Sequence, residues 1–432
     1  MIDMRALIYE AAGVKGRVKA PPSKSYTHRA FVISGLADGS SRIIEPLLSD
    51  DTLVTLNAMK AFGAEVERQK NEVLIRGTSG KLNSPRLIDC GNSGTSLRLL
   101  TGVSALDGEV TLIGDASLQS RPIQPLLDAL AQLGVNSETL QAGGRPPVRV
   151  YGKGGRINNG RVRIRGDMSS QFISSLLIIS PYAEEDVIIE ITTPLKSQPY
   201  IDITLGMMKS YGAGVENINY RKFIVSSSRY KGREFKIEGD YSSASYFIAL
   251  AAMSRGRVEV ENLHSDSLQG DRRILSIVEE MGAEVEIGKN MIAVEGRKLS
   301  AIEVDLGDTP DLLPTVAVLA AVARGKSIIR NVEHARYKES DRIHACASEI
   351  VRFGCRVVER RDGLEIEGKE KPRGARVKSY NDHRMVMALS ILGLVSSGET
   401  VIEDVESVAI SYPEFFDDLK ELVGDRIRLS EV

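Results

Sequence analysis

Along this chain, long apolar stretches that open on small polar residues alternate with shorter amphipathic stretches that close on glycine. Six times a cluster of Ser, Thr, Asn or Asp leads into an apolar run: PSKSYTHRAFVISGLA, CGNSGTSLRLLTGV, GDMSSQFISSLLIIS, GDYSSASYFIALAAM, GDTPDLLPTVAVLAAV and YNDHRMVMALSILGL. Side-chain oxygens of these residues accept hydrogen bonds from the free N–H groups of a first helical turn, so each cluster predicts a helix start. The runs behind them are apolar nearly all round, which predicts buried helices.

The amphipathic series lies between them. Segments of helical period such as DTLVTLNAMKAF and RRILSIVEEM end at Gly63, Gly134, Gly212, Gly282 and Gly354, and a shorter copy follows at Gly424. Glycine stops a helix because it takes the left-handed cap conformation without a Cβ penalty. The alternating residues after it, as in GAEVERQKNEVLIRG, predict strand, turn and strand. The glycines are 70 to 78 residues apart. The pattern is therefore an α/β protein of six βαβαββ-type units, each with one buried and one surface helix.

A buried helix needs cover on every side. Three units can supply it by packing their central helices, parallel to one another, with sheets outside. The expected domains are 20–237 and 1–19 plus 238–432, with the strand-like ALIYEA completing the second. The chain would then cross between them twice, and a site would lie in the cleft. The basic stretch RPPVRVYGKGGRINNGRVRIRG, 145–166, is expected to form exposed hairpins, with nucleic-acid contact the less favoured use.

Composition narrows the function. A chain of 432 residues can bury two sizeable cores. A net charge of −2 argues against bulk nucleic-acid binding, so any anion site must be local. The three cysteines and five histidines have no metal-type spacing, and no metal is expected. Sparse cysteines suit a reducing cytoplasm. No run of about 18 apolar residues suggests a membrane span, and MIDMRALIYE does not resemble an export signal. There is no GxGxxG opening a βαβ unit, no GxxxxGK[ST] and no GxSxG, so nucleotide-dependent chemistry and a serine elbow find no support, and no cofactor is expected.

The helix starts carry more than caps. They include Lys24, Arg29, Arg98, Gln171, Asp311, His383 and Arg384. One such start alone reads as a capped helix with a solvated basic edge. Across six the reading weakens, because a cap needs a single Ser or Asp. Six helix N-termini facing a gap would each present roughly +0.5 charge and free N–H groups, a local trap for phosphate and carboxylate. SLQSRPIQ adds Arg121, and ARYKESDRIHA adds Arg336, Lys338, Glu339, Asp341 and Arg342. On a helix Lys338 and Arg342 would share a face, although an exposed charged start explains KESDR equally well. Asp311 in TPDLLPT, taken alone, reads as an N-cap. Two anion-binding globules without redox motif or metal point to group transfer between two small anions.

Here the residues match a known family. PPSKSYTHRA, GNSGTSLR, SRPIQPLLDAL, DMSSQF, SQPYIDITLGMMKSYG, GDYSSASYF, LQGDRRI, TPDLLPT, RYKESDRI, YNDHRMVMAL and SYPEFF, in order across nearly the whole chain, resemble the 5-enolpyruvylshikimate-3-phosphate synthases. The resemblance implies a two-domain inside-out α/β barrel. It implies transfer of the enolpyruvyl group of phosphoenolpyruvate to the 5-hydroxyl of shikimate 3-phosphate, with loss of phosphate, in the shikimate route to aromatic amino acids. It also implies a monomer. Residue by residue, Lys24 would touch both substrates. Ser25, Arg29, Ser169, Ser170, Gln171, Ser197 and Tyr200 would hold shikimate 3-phosphate. Asn92, Gly94, Thr95, Arg121, Gln171, Arg342 and Arg384 would hold phosphoenolpyruvate. Asp311 would be the base, with Lys338 close to the same hydroxyl, and Glu339 would handle the methyl proton.

Three positions depart from the family pattern: Ile410 where a lysine is often found, His334 where some members have asparagine, and Leu99 where many have proline. Two rival readings find less support. The sister transferase acting on UDP-N-acetylglucosamine usually has a reactive cysteine before its RP pair, and GDASLQSRPI has none. A non-catalytic phosphometabolite-binding protein would lack the proton-transfer residues, which are present here.

Overall fold

The computed structural model describes residues 4–152, 154, 157 and 159–431. It contains six four-stranded sheets among the described residues, all with one pattern of neighbours. In the sheet of the GNSGTS segment, Leu87–Asp89 runs parallel to Glu109–Ile113, which pairs antiparallel with Arg145–Tyr151, itself antiparallel to Asn136–Gln141. Parallel neighbours need a crossover, and the apolar helix Gly94–Ser104 supplies it. The surface helix Gln124–Gln132 leads to the closing hairpin. The order is therefore β-α-β-α-β-β.

The chain forms two compact units, Pro22–Ile237 and Met1–Pro21 with Glu238–Val432. Each has its own apolar core. In the first, the central helices are Lys24–Leu36, Gly94–Ser104 and Ser170–Ile179. In the second, Tyr241–Ser254, Leu313–Val322 and His383–Leu394 all touch one another. Every residue of Tyr241–Ser254 and His383–Leu394 is buried, as helices without a polar face must be. Truncating one wholly buried side chain such as Leu389 to alanine costs about 2–5 kcal/mol in such cores.

At both crossings an edge strand parts from the helix that follows it. Lys15–Lys19 precedes helix Lys24–Leu36 but pairs with Arg257–Glu261. Glu234–Lys236 precedes helix Tyr241–Ser254 but pairs with Ser40–Ile44. The first crossing falls between Pro21 and Pro22 rather than after Lys19, because the Ala20 N–H donates to the Glu261 carbonyl and the Asp240 N–H to the Pro21 carbonyl. Met4–Tyr9 lies between Glu399–Glu403 and Ile427–Glu431.

The glycines that close the surface helices have φ between 60° and 113° at Gly63, Gly134, Gly212, Gly282, Gly354 and Gly424, the region that favours glycine. Four of the six expected caps form: Ser93, Ser169, Asp240 and Asp382 each accept from a backbone N–H of the first turn. Ser23 makes no such bond, and the fifth helix is entered through the turn Pro310–Leu312, where prolines 310 and 314 bring no N–H to satisfy.

The 145–166 stretch is not a pair of exposed hairpins. Arg145–Tyr151 and Arg161–Ile164 belong to different sheets and bury Val148, Val150, Val162 and Ile164. Alternate apolar residues pull each strand onto the core, which outweighs the exposed basic positions between them. Residues 153, 155, 156 and 158 of that stretch lie outside the described residues.

Candidate active site

The predicted residues fall into two sets, one in each unit. In Pro22–Ile237 the GNSGTS turn gathers most of the expected phosphoenolpyruvate contacts. Ser93 caps the helix and Gly94 begins it. The Arg121 guanidinium donates to Asn92 Oδ1 at 2.7 Å and Ser117 Oγ at 3.0 Å, and Asn92 donates to Asp115 at 2.7 Å. An added Cβ on Gly94 would stand 2.9 Å from Arg121 Nη1, so glycine is what lets the guanidinium lie against the turn. Gln171 donates to Thr95 Oγ1 at 2.8 Å and accepts from Arg98 at 2.6 Å. Asn92, Gly94, Thr95, Arg121 and Gln171 are thus brought together.

The residues expected to hold shikimate 3-phosphate come from three helices, beginning with Lys24–Leu36. Lys24 Nζ is 3.0 Å from Asp51. Arg29 is buried among neutral partners: Thr204 Oγ1, Ser174 Oγ and the carbonyls of Ser25 and Tyr200. Burial pushes its guanidinium down to about 10, the mark of a cation with no carboxylate partner among the described residues. Ser169 caps the helix that Ser170 begins. Ser197 is buried with φ 57°, a conformation a non-glycine residue holds only at a cost of order 1 kcal/mol. A hydroxyl relay joins the two groups: His28 to Thr55 at 2.7 Å, Thr55 to Ser96 at 2.7 Å, and Ser96 to Ser93 at 2.7 Å. Burial, then Lys24 and Arg29, keep His28 neutral.

In the other unit, Asp311 bridges three cations: Arg342 at 2.8 Å, Arg384 at 3.0 Å and Lys338 at 3.4 Å. Arg342 also contacts Glu339 and lies 2.9 Å from Asp382. Burial alone would weaken the Arg342 guanidinium's hold on its proton, but Asp382, Glu339 and Asp311 outweigh it and keep the group well above its ordinary range. The cluster is not a bare anion trap, since three carboxylates face three cations. An incoming acid would compete with Asp311 for guanidiniums already held in place.

A family profile for EPSP synthase (3-phosphoshikimate 1-carboxyvinyltransferase) matches residues 8–419. The chain belongs to the EPSP synthase family. A relative from Methanocaldococcus jannaschii, a 3-phosphoshikimate 1-carboxyvinyltransferase, is 46% identical over 95% of this chain and 96% of its own. One of the same name from Methanothermobacter thermautotrophicus is 45% identical over 99% and 100%. The solved EPSP synthase of Acinetobacter baumannii shares the fold with a TM-score of 0.82 at 28% identity, covering 99% of this chain and 100% of that one.

Against that family, three residues stand out that the motif reading gave no role. Arg98 holds Gln171 and packs 5.4 Å from the Phe172 ring centre. Asp51 orients Lys24, and Asp382 orients Arg342. The signal for Asp382 was a charge at the start of a helix apolar nearly all round; Asp51, on an amphipathic helix, gave none. Ile410 ends the turn Val405–Ile410, next to the buried Tyr412. His334 is buried in the turn Glu333–Tyr337, and Leu99 is buried inside its helix. No helix among the described residues is long and apolar enough to cross a membrane.

Proposed function

We propose that this chain transfers the enolpyruvyl group of phosphoenolpyruvate to the 5-hydroxyl of shikimate 3-phosphate, releasing phosphate by addition and then elimination. The observation that carries the reading is Lys338, Arg342 and Arg384 gathered around the Asp311 carboxylate, with Glu339 on Arg342, in a chain of this family. Asp311 takes the proton of the 5-hydroxyl, whose oxygen bonds to C2 of phosphoenolpyruvate while C3 gains a proton through Glu339. The tetrahedral adduct then expels phosphate, and C3 returns a proton. Arg121, Arg342 and Arg384 neutralise the carboxylate and phosphate, for which a planar guanidinium is well shaped. Lys24, Ser25, Arg29, Ser169, Ser170, Ser197 and Tyr200 orient shikimate 3-phosphate.

The reading extends to a cytoplasmic monomer that uses no cofactor; its sparse, buried cysteines suit a reducing compartment. The sister transferase on UDP-N-acetylglucosamine is not favoured, because Asp115–Arg121 carries no cysteine and Cys90 is buried. The test is phosphate release from phosphoenolpyruvate with each acceptor. Release with shikimate 3-phosphate alone supports the proposal. Release with UDP-N-acetylglucosamine, or with neither, overturns it.

A further inference from the structure

In the unit of Glu238–Val432, a cavity of about 400 Å³ opens at the C-terminal ends of the three buried helices. Helix Tyr241–Ser254 is about 20 Å long at 1.5 Å per residue, which sets the distance from its capped end, the end that carries the expected chemistry. The floor is apolar: Met253, Leu299, Val322 and Val395. The rim carries Arg255, Arg297, Lys298, Arg324 and Lys371 against only Glu10 and Glu370. Arg255 pairs with Glu370 at 2.8 Å, Lys371 with Glu10 at 3.0 Å and Arg297 with Glu295 at 3.0 Å. Lys298 and Arg324 have no ion pair among the described residues. Both converge on Glu370 nonetheless: Arg255 first, with Lys298 and Arg324 adding to it, holds that carboxyl below its usual range.

Cations at helix C-termini have an ordinary explanation, the negative end of the helix dipole. The chain contains its own control for that explanation. The same fold position occurs in the other unit, recognisable from equivalent isolated bridges: Arg324 with Ser300, Ser397 with Arg373, and Asp38 with Lys231. Each follows a buried helix and precedes a glycine. There the residue is Asp38, and the next copy has Asp107 before Gly108, where this unit has Arg255 before Gly256. The dipole is the same in both units, yet two of these positions carry a cation here, Arg255 and Arg324, where the other unit has Asp38 and Asp107; the third, Ser397, is neutral. The dipole alone therefore does not dictate a cation at these positions.

We propose that this cavity is a binding site for a small amphipathic anion, a carboxylate or phosphate on an aromatic or alicyclic ring. The ring would lie on the apolar floor, and its acid would be held by Lys298 and Arg324. Neither residue belongs to the reaction cluster, so occupancy can be read apart from turnover.

The test is calorimetric titration of the full chain with phenyl phosphate, beside inorganic phosphate and phenol as probes of each half of the chemistry. The variant Lys298→Ala/Arg324→Ala alters exposed rim residues, and unchanged turnover and melting temperature show that it folds. The expected result is one phenyl phosphate bound per chain in a step weakened at least tenfold in the variant, with inorganic phosphate and phenol each binding more weakly. Equal affinity for wild type and variant overturns the proposal. So does absence of a binding step that the variant loses. Inorganic phosphate binding as tightly as phenyl phosphate overturns the amphipathic assignment.

Discussion

Asp311 Oδ1 lies 2.8 Å from Arg342 Nη1, so the proposed base is paired with a proposed substrate cation before any substrate arrives. Its other oxygen is 3.0 Å from Arg384. The same carboxylate that orients the guanidiniums must let go of part of that embrace to accept a proton.

Replacing it tests both duties. Asp311→Asn keeps the shape and an acceptor oxygen. Binding of shikimate 3-phosphate is expected to hold within about tenfold, roughly 1.4 kcal/mol. Turnover is expected to fall by roughly 10²–10⁴, the scale of a general base. Turnover beside a binding titration on one preparation decides it, and near-normal turnover would pass the role to Lys338.

Gly94→Ala puts a Cβ 2.9 Å from Arg121 Nη1, the end of a long flexible side chain, so it is the guanidinium that gives way. The guanidinium must move off the turn, loosening its bond to Asn92. The expected outcome is a rise of about tenfold or more in the KM for phosphoenolpyruvate, with the KM for shikimate 3-phosphate changed far less. Equal changes in both constants would mean that Gly94 serves the fold and not that substrate.

Asp271 carries a pH signature. It is buried, and the Ser242 hydroxyl donates to it. Burial, with Asp311 adding to it and Arg384 and Ser242 opposing, pushes the carboxyl up to about 7 from an ordinary 3.8. The folded value lies above the unfolded one, so the ionised form costs stability. That cost is full above about 7, shrinks as pH falls through 7 toward 3.8, and is gone below 3.8. Asp271→Asn removes the titrating proton. The variant's melting temperature relative to wild type is therefore expected to be higher at pH 8 than at pH 5. A difference that does not vary with pH would refute the shift.

The three cysteines should be silent. Cys90, Cys346 and Cys355 are 0%, 2% and 5% exposed, and burial pushes each thiol up, away from the reactive thiolate. An aromatic disulfide reagent is expected to titrate none in the native protein and three after denaturation, with activity intact. Inactivation in step with one modified thiol would revive a cysteine-dependent mechanism.

Much of this protein is local and therefore readable from its residues. The repeated apolar runs, the polar starts and the closing glycines each act within one or two turns, so the β-α-β-α-β-β order and the buried helices follow from spacing. The sheet partners of the crossing strands do not. The expected domain bounds already part Lys15–Lys19 and Glu234–Lys236 from the helices they precede, but nothing within either strand names its partner; that depends on which edge is left open in a sheet assembled from distant segments. The basic 145–166 stretch differs from the hairpins its sequence suggests for the same reason, since alternation shows a strand but not a partner. At the site, the motif residues were visible one by one, while Asp311 bridging Arg342 and Arg384, separated from it by tens of residues, was not. Charge pairs over such distances exist only after the helices have packed, because a carboxylate and a guanidinium interact strongly only when folding has taken both out of water and brought them within a few ångströms.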